Sequence, residues 1–547
     1  MPAYALALAL LVTAPLLAPG YLLLRDAVST PRSYLSDAAL GLSDAAPRAV
    51  PQDFAVALAS HLVDGGVVVK VLLVAGLWLA GWGCARLAAT VLPDAGVPGQ
   101  FVAATLAVWN PYVAERLLQG HWSLLVGYGC LPWVAATVLR MRTSRTRRAK
   151  QNSESAPLWT AFCALAFWTA LAGITPTGLL LAATVAVVCW LAPGPGRPRW
   201  LCAAVGLGVA ALAALPWLVA AVVSESLSSS QAEGVTAFAA RAEPGLGTLG
   251  SLASLGGIWN SEAVPGSRTT LFAVVAAVVL LGIVAAGLPV VMRMPIAVPL
   301  LILAAAAVVV PTLMATGPGL AFVESMVRAL PGLGVVRDAQ KWVALAMPGY
   351  AVAAAAAVVT LRRWMPAFAT AALCSLALVA TLPDLAWGVS GKVVAVRYPQ
   401  GWAAAAAAIN ADPRPVAVLP ADAMRVFPWA GDAPVLDPLP RFVRADVLTT
   451  GDLTISGRLV PGEGGRARDI QRLLAAGVDP DALARAGVGW VVVESGNDVR
   501  VTRVGGDHRP APHRGLLIVA HLAWLTALLA GFAGVLAGLV WRRRTAE

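Results

Sequence analysis

Apolar windows about one bilayer thickness long recur along the whole chain, and short basic clusters punctuate them. A stretch of roughly 20 apolar residues can satisfy its own backbone in lipid only as a helix. Such windows fall near 4–24, 67–91, 100–118, 121–140, 157–174, 176–192, 200–223, 270–289, 296–315, 343–361, 365–385 and 514–541. The basic clusters follow even-numbered windows only: "RMRTSRTRRAK" (140–150), "GRPR" (196–199), Arg293, "RRW" (362–364) and "RRR" (542–544). Because Lys and Arg stay on the cytoplasmic side, one orientation fits them all, with both termini cytoplasmic. The pattern predicts an all-α polytopic membrane protein of about twelve transmembrane helices. The opening "MPAYALALALLVTAPLLAPGYLLLRD" has no basic n-region and an apolar stretch of span length. It reads as a retained first helix rather than a signal peptide.

Composition points the same way. The chain is 59% hydrophobic and 13% charged, where a soluble protein carries about 25% charge. The net charge of +11 is accounted for largely by the basic clusters and requires no nucleic-acid partner. The six cysteines all lie in apolar runs without a CxxC, and the five histidines form no HxxxH or HExxH pattern. Neither a disulfide nor a zinc site is expected.

The orientation leaves four long segments outside: 25–66, 224–269, 316–342 and 386–513. The last is long enough for a small domain. Its runs "PVAVLP" (415–420) and "GWVVVE" (489–494) read as strands around a helical "RARDIQRLLAAG" (466–477). The expected organisation is a membrane domain over 1–385, an extracytoplasmic α/β domain over 386–513, and a final helix with a basic tail over 514–547.

Candidate chemistry gathers on that outer side. Asp26 follows directly on the first apolar window, where a carboxylate can take a proton from a hydroxyl attacking a lipid-borne donor; Asp37 and Asp44 are its rivals in the same loop. In "WNPYVAERLLQGHWSLLVGYGCLPW" (109–133), Arg116 and His121 stand at membrane depth, where ionisable groups are costly and face a cavity or a partner. In "GGIWNSEAVPGSR" (256–268), Glu262 can touch an acceptor sugar and Trp259 can stack on one. "GVVRDAQKW" (334–342) puts cations on the side that the charge rule disfavours. Arg337 and Lys341, four apart, share a face if the stretch is helical, and together they can clamp a phosphate; Gln340 then points away.

These motifs resemble the membrane GT-C glycosyltransferases of actinobacterial cell walls, and most of all the membrane part of the mycobacterial α-(1→3)-arabinofuranosyltransferase family. The resemblance is carried by "PGYLLLRD" (19–26), "WNPYV" with "LPW" (109–113 and 131–133) and "GVVRDAQKWVALAMP" (334–348). It implies a polyprenyl-phosphate sugar donor (arabinofuranose or mannose), a cell-envelope glycan or glycolipid acceptor, and inverting transfer outside the cytoplasm. It places the base at Asp26 and the phosphate-side motif at Arg337 and Lys341. Arg116 and His121 are expected beside the donor phosphate, and Glu262 and Trp259 beside the acceptor. The resemblance singles out no cofactor, and a divalent metal stays open. This chain is shorter than the family's large members and lacks their extensive C-terminal region. Two other functions fit the same pattern: a flippase for a lipid-linked glycan, and a non-catalytic envelope-assembly protein. A flippase needs charges along a path through the bilayer, and the windows from the fifth onward carry almost none.

Overall fold

The computed structural model describes residues 1–43, 49–143, 158–223, 234–455, 457–462, 464–477, 479–507 and 511–546. Among these, six helices are long and apolar enough to cross a membrane: Gly65–Val91, Trp122–Thr143, Arg199–Val223, Phe272–Val291, Ala339–Leu361 and Arg514–Trp541. Two further pairs are sharply bent, Val298–Met314 with Gly317–Ala329 by 91° and Ala367–Ala380 with Pro383–Gly391 by 72°. Three apolar helices are shorter, Pro2–Leu17, Trp159–Ala172 and Pro176–Trp190. The chain is a multi-pass membrane protein, with six to eight helices of spanning length among the described residues beside these shorter ones.

Gly65–Val91 and Trp122–Thr143 pack together at the centre. Gly76 and Gly129 bring their backbones into contact, so a Cβ on Gly129 would overlap the Gly76 carbonyl. Small residues permit the close packing that replaces a hydrophobic driving force between helices in lipid. Peripheral helices turn large apolar side chains outward, among them Val278, Ile302, Leu376 and Val519.

Two expected windows are interrupted. The first ends as helix by Leu17, and Tyr21–Leu24 is a β-strand. It pairs antiparallel with Ala27–Val28 on one edge and with Ala395–Val396 on the other. The third splits at Trp109–Asn110 into Gly96–Val108 and a corner helix, Pro111–Leu118. Asn110 caps that corner helix by accepting from the Val113 amide (3.1 Å), and Pro111 needs no donor at its first turn.

Between 386 and 513 the strands Val416–Leu419, Val447–Leu448, Trp490–Ser495 and Asp498–Arg503 form one mixed sheet. Alternation along Val416–Leu419 serves two layers. Val416 and Val418 meet Trp402, Ala406 and Ile409 on the helix Gln400–Ala411. Ala417 meets Ala467, Ile470 and Leu474 on Gly465–Ala475. This layer also reaches the membrane region's N-terminus: the strand Val435–Leu436 bridges Arg25 through Arg25 N–H to Pro434 O (2.9 Å) and Leu436 N–H to Arg25 O (2.9 Å).

Helix directions separate the charges. Gly65 and Lys341 lie at the Asp26 end of the bundle, since Gly65 N–H bonds Pro31 O and Lys341 approaches Asp338 beside the corner helix. Arg142, in the last turn of Trp122–Thr143, bonds Arg197 O in the loop before Arg199–Val223, at the far end of the bundle. Residues 144–157 and the side chains of 542–547, which hold much of two expected basic clusters, fall outside the described residues.

Candidate active site

The strand Tyr21–Leu24 ends on a turn whose geometry is unusual at one residue. Arg25 takes φ +48°, a left-handed conformation that costs a non-glycine residue about 1–3 kcal/mol. Its surroundings hold it there. The backbone is bridged on both sides by 434–436, and the buried guanidinium donates to Leu118 O (2.7 Å) and Glu262 O (3.1 Å). The next residue, Asp26, donates its amide to Gln119 O (3.2 Å). The turn therefore lies directly against the corner between Pro111–Leu118 and Trp122–Thr143. Gly120 makes this approach possible. It has φ +80°, and a Cβ there would overlap the Ala27 amide and the Leu24 carbonyl.

The Asp26 side chain is 42% accessible. Its Oδ2 accepts from Gln119 Nε2 (2.9 Å) and lies 3.0 Å from His121 Nε2. Oδ1 takes no hydrogen bond among the described residues. On the other ring nitrogen, Arg116 Nη1 lies 3.1 Å from His121 Nδ1. A guanidinium only donates, so Nδ1 is the acceptor and the ring proton sits on Nε2, aimed at Asp26. Burial pushes the His121 imidazole below its usual range, and the Asp26 charge only partly offsets this. Burial would raise the Asp26 carboxyl. The bonds from His121 and Gln119 and the nearby Lys341 charge together outweigh it, so the carboxyl sits below its usual range. Asp26 is thus an ionised, partly accessible carboxylate whose Oδ2 is held and whose Oδ1 takes no hydrogen bond among the described residues.

Behind it lies a fully buried polar network. Arg116 donates a two-pronged pair to Asp338 (2.8 and 3.0 Å) and also bonds the Gln340 side-chain oxygen. Gln340 Nε2 donates to Glu115 Oε2 (2.9 Å). Glu115 also accepts the Gly257 and Ile258 amides (3.1 Å each). Asn260 Nδ2 donates to Gln119 Oε1 (2.8 Å), linking the 256–268 loop to the residue that holds Asp26. Lys341 Nζ stands 3.7 Å from Asp338 Oδ2, with its side chain still partly open.

Several expectations change here. Arg116 is sealed inside the protein and its guanidinium is committed to Asp338 and Gln340, so it positions other groups and does not reach a donor phosphate. His121 presents Nε2 to Asp26 at 3.0 Å. Arg337 and Lys341 do not share one helix face. Residues Pro331–Val336 and Ala339–Ala346 are separate 3₁₀ turns joined at Arg337–Asp338, and the Arg337 guanidinium lies over the Phe238 ring (5.5 Å). Gln340, expected to point away, is at the centre of the network. Asp37, the expected rival, is buried and its carboxylate is paired with Arg514; Asp44 lies outside the described residues. Glu262 lies near Asp26's turn, 3.6 Å from Arg25 and 68% accessible. Trp259 packs edge-on against Phe238 (4.7 Å), the ring that carries Arg337. Gln119, Asp338 and Asn260 were not among the expected site residues. The one sequence signal for Asp338 was the energetic need of Arg116 for a buried counter-charge. Among the described residues no three His, Cys, Asp or Glu side chains converge on a common point.

No protein-family profile matches the chain, and no curated protein sequence matches it. Among solved structures, it matches the cryo-EM structure of arabinofuranosyltransferase AftD from Mycobacteria with a TM-score of 0.57 at 20% identity. The match covers 92% of this chain and 36% of that one, so this chain spans little more than a third of AftD's length. At this identity the likeness is one of fold.

Proposed function

We propose that the chain is a membrane glycosyltransferase that moves a sugar from a polyprenyl-phosphate donor to a hydroxyl of a cell-envelope glycan or glycolipid, with Asp26 as the base. The observation that carries this is the Asp26 carboxylate, ionised, partly accessible and anchored through Oδ2 with no hydrogen bond to Oδ1 among the described residues, at one end of a membrane bundle. The fold shared with AftD supports the same reading, and arabinofuranose is the first sugar to test, mannose the second. Cations at the far end of the bundle, Arg142 and Arg197 among them, favour the Asp26 end as extracytoplasmic.

In the proposed reaction the acceptor oxygen attacks the anomeric carbon from the face opposite the phosphate. Its proton passes to Asp26 Oδ1 as the new C–O bond forms. The bond between the anomeric carbon and the phosphate oxygen breaks, and polyprenyl phosphate leaves with that electron pair. Lys341, whose charge acts on Asp26, keeps solvent access, and its charge is worth more as the leaving phosphate gains charge. Asp338 and Arg116 fix Lys341 and His121 in place. Glu262 and Trp259, on the loop that holds Gln119 through Asn260, flank the acceptor side. Among the described residues the network around Arg116 and Asp338 stays at the Asp26 end of the bundle, which speaks against a flippase path.

The test is purified full-length chain in detergent with labelled polyprenyl-phospho-arabinose and polyprenyl-phospho-mannose. Transfer from one of them, abolished in a folded Asp26→Asn variant, is the expected result. Absence of transfer from both donors with a range of envelope acceptors, or full activity in Asp26→Asn, overturns the proposal.

A further inference from the structure

A second concave site lies away from Asp26 and shares no residue with its network. It is a cavity of about 420 Å³ walled by Arg32, Tyr34, Asp37, His61, Arg444 and Arg514. Three distant parts of the chain build it: the loop after the first strands, the sheet layer near Arg444, and the first residue of the last span. That volume suits a ligand of small-molecule size.

The lining is markedly cationic. Arg514 is paired with Asp37 and donates to Leu35 O (2.8 Å). That leaves Arg32 and Arg444 as the cations not cancelled by a carboxylate among the described residues. Arg32 is held from behind, through Ser60 O (3.0 Å) and His61 Nδ1 (2.6 Å). Both guanidinium groups approach the Tyr34 ring, at 5.5 and 5.2 Å from its centre. Both also line the cavity, and an anion bound there offsets the like charges. Guanidinium groups in pairs suit the oxygens of a phosphoryl group, which they can bind by forked hydrogen bonds.

The position of Arg514 says where such an anion comes from. It opens the span Arg514–Trp541, so the cavity floor lies where the apolar part of the bundle begins. Leu516 and Val519, within the next two turns, are 51% and 64% exposed. A phosphate seated between Arg32 and Arg444 would have an apolar track beside it for acyl chains.

We infer that this cavity is a binding site for the phosphodiester headgroup of an anionic phospholipid, separate from the proposed transfer site. Neither the donor nor the acceptor of the proposed reaction is needed for it.

The test uses full-length chain in neutral detergent, titrated with phosphatidylglycerol and, separately, with zwitterionic phosphatidylcholine, and read by native mass spectrometry. The parent should retain phosphatidylglycerol in preference. Arg444 is exposed, so Arg444→Glu should fold normally and bind phosphatidylglycerol at least about tenfold more weakly, the loss of one charge-assisted contact. Arg32→Gln should weaken it similarly, with phosphatidylcholine binding unchanged in both. Equal retention of the two lipids by the parent, or parent-like phosphatidylglycerol binding in both variants, overturns the inference. Inorganic phosphate in excess forms the last arm. If it displaces the lipid and itself binds in an Arg444-dependent way without lipid, the cavity serves a soluble phosphoryl ligand and the lipid assignment falls.

Discussion

Gln340→Ala tests the buried network most directly, because the sequence pattern and the structure disagree about it. On a regular helix Gln340 would face away from Lys341 and its loss would matter little. In the structure its side chain joins two charged residues, donating to Glu115 at 2.9 Å and accepting from Arg116. A hydrogen bond to a charged group contributes about 1.5–3 kcal/mol, so two of them set an upper range of about 3–6 kcal/mol. Glu115 keeps its two backbone donors and Arg116 keeps both bonds to Asp338, which places the expected loss near the lower end, about 3 kcal/mol. That is a substantial share of the about 5–15 kcal/mol that holds a typical protein folded. The assay is thermal unfolding of the full chain in detergent, with Gln340→Met beside Gln340→Ala. Methionine restores most of the volume and none of the hydrogen bonding. If the bonds carry the stability, both variants melt several degrees below the parent. Rescue by methionine assigns the loss to an empty space, and parent-like melting of Gln340→Ala refutes the network as a structural support.

Lys341→Ala should melt like the parent, yet lower kcat and raise KM for the lipid donor together; single-turnover rates and donor titration check this, and parent-like values would leave Lys341 as an interfacial anchor. Gly120→Ala places a Cβ against the Ala27 amide and Leu24 carbonyl at φ +80°, so the Asp26 turn must shift; a displacement near 1 Å is expected to reduce transfer by about 100-fold, whereas Gly282→Ala, with open space around it, should have no effect. The pH dependence should separate two regions. Burial and Asp437 push the Glu494 carboxyl, beside Arg425, up to about 8. A raised acid in the folded state binds the extra proton, so its contribution is complete below the unfolded value near pH 4.3 and is lost as pH rises through about 8. Asp26 and His121 are both shifted downward, so their contribution is present above the unfolded values and fades as pH falls through the folded ones. Glu494→Gln should flatten the alkaline arm of a melting-versus-pH curve and leave the acid arm in place; an unchanged alkaline arm would remove Glu494 as its source.

The amino-acid sequence alone carried the membrane character, the concentration of chemistry at one end, and the strands around 416–419 and 490–495, since each depends on local composition and periodicity. It also singled out Asp26 and Lys341, because charges beside apolar windows stand out against their surroundings. Conformation within the apolar windows was not legible. "YLLL" (21–24) is as apolar as any helix, and hydropathy reports burial rather than φ and ψ; its strand pairing with Ala395–Val396 comes from a segment more than 370 residues away. The same limit hid the roles inside the site. Arg116 finds Asp338 and Gln340 across more than 220 residues. Only the fold decides that this guanidinium is enclosed, that His121 presents Nε2 to Asp26, and that Asp37 turns to Arg514 instead. A buried charge must have a partner wherever the chain brings one, and the sequence specifies that need without saying which of its distant residues will meet it.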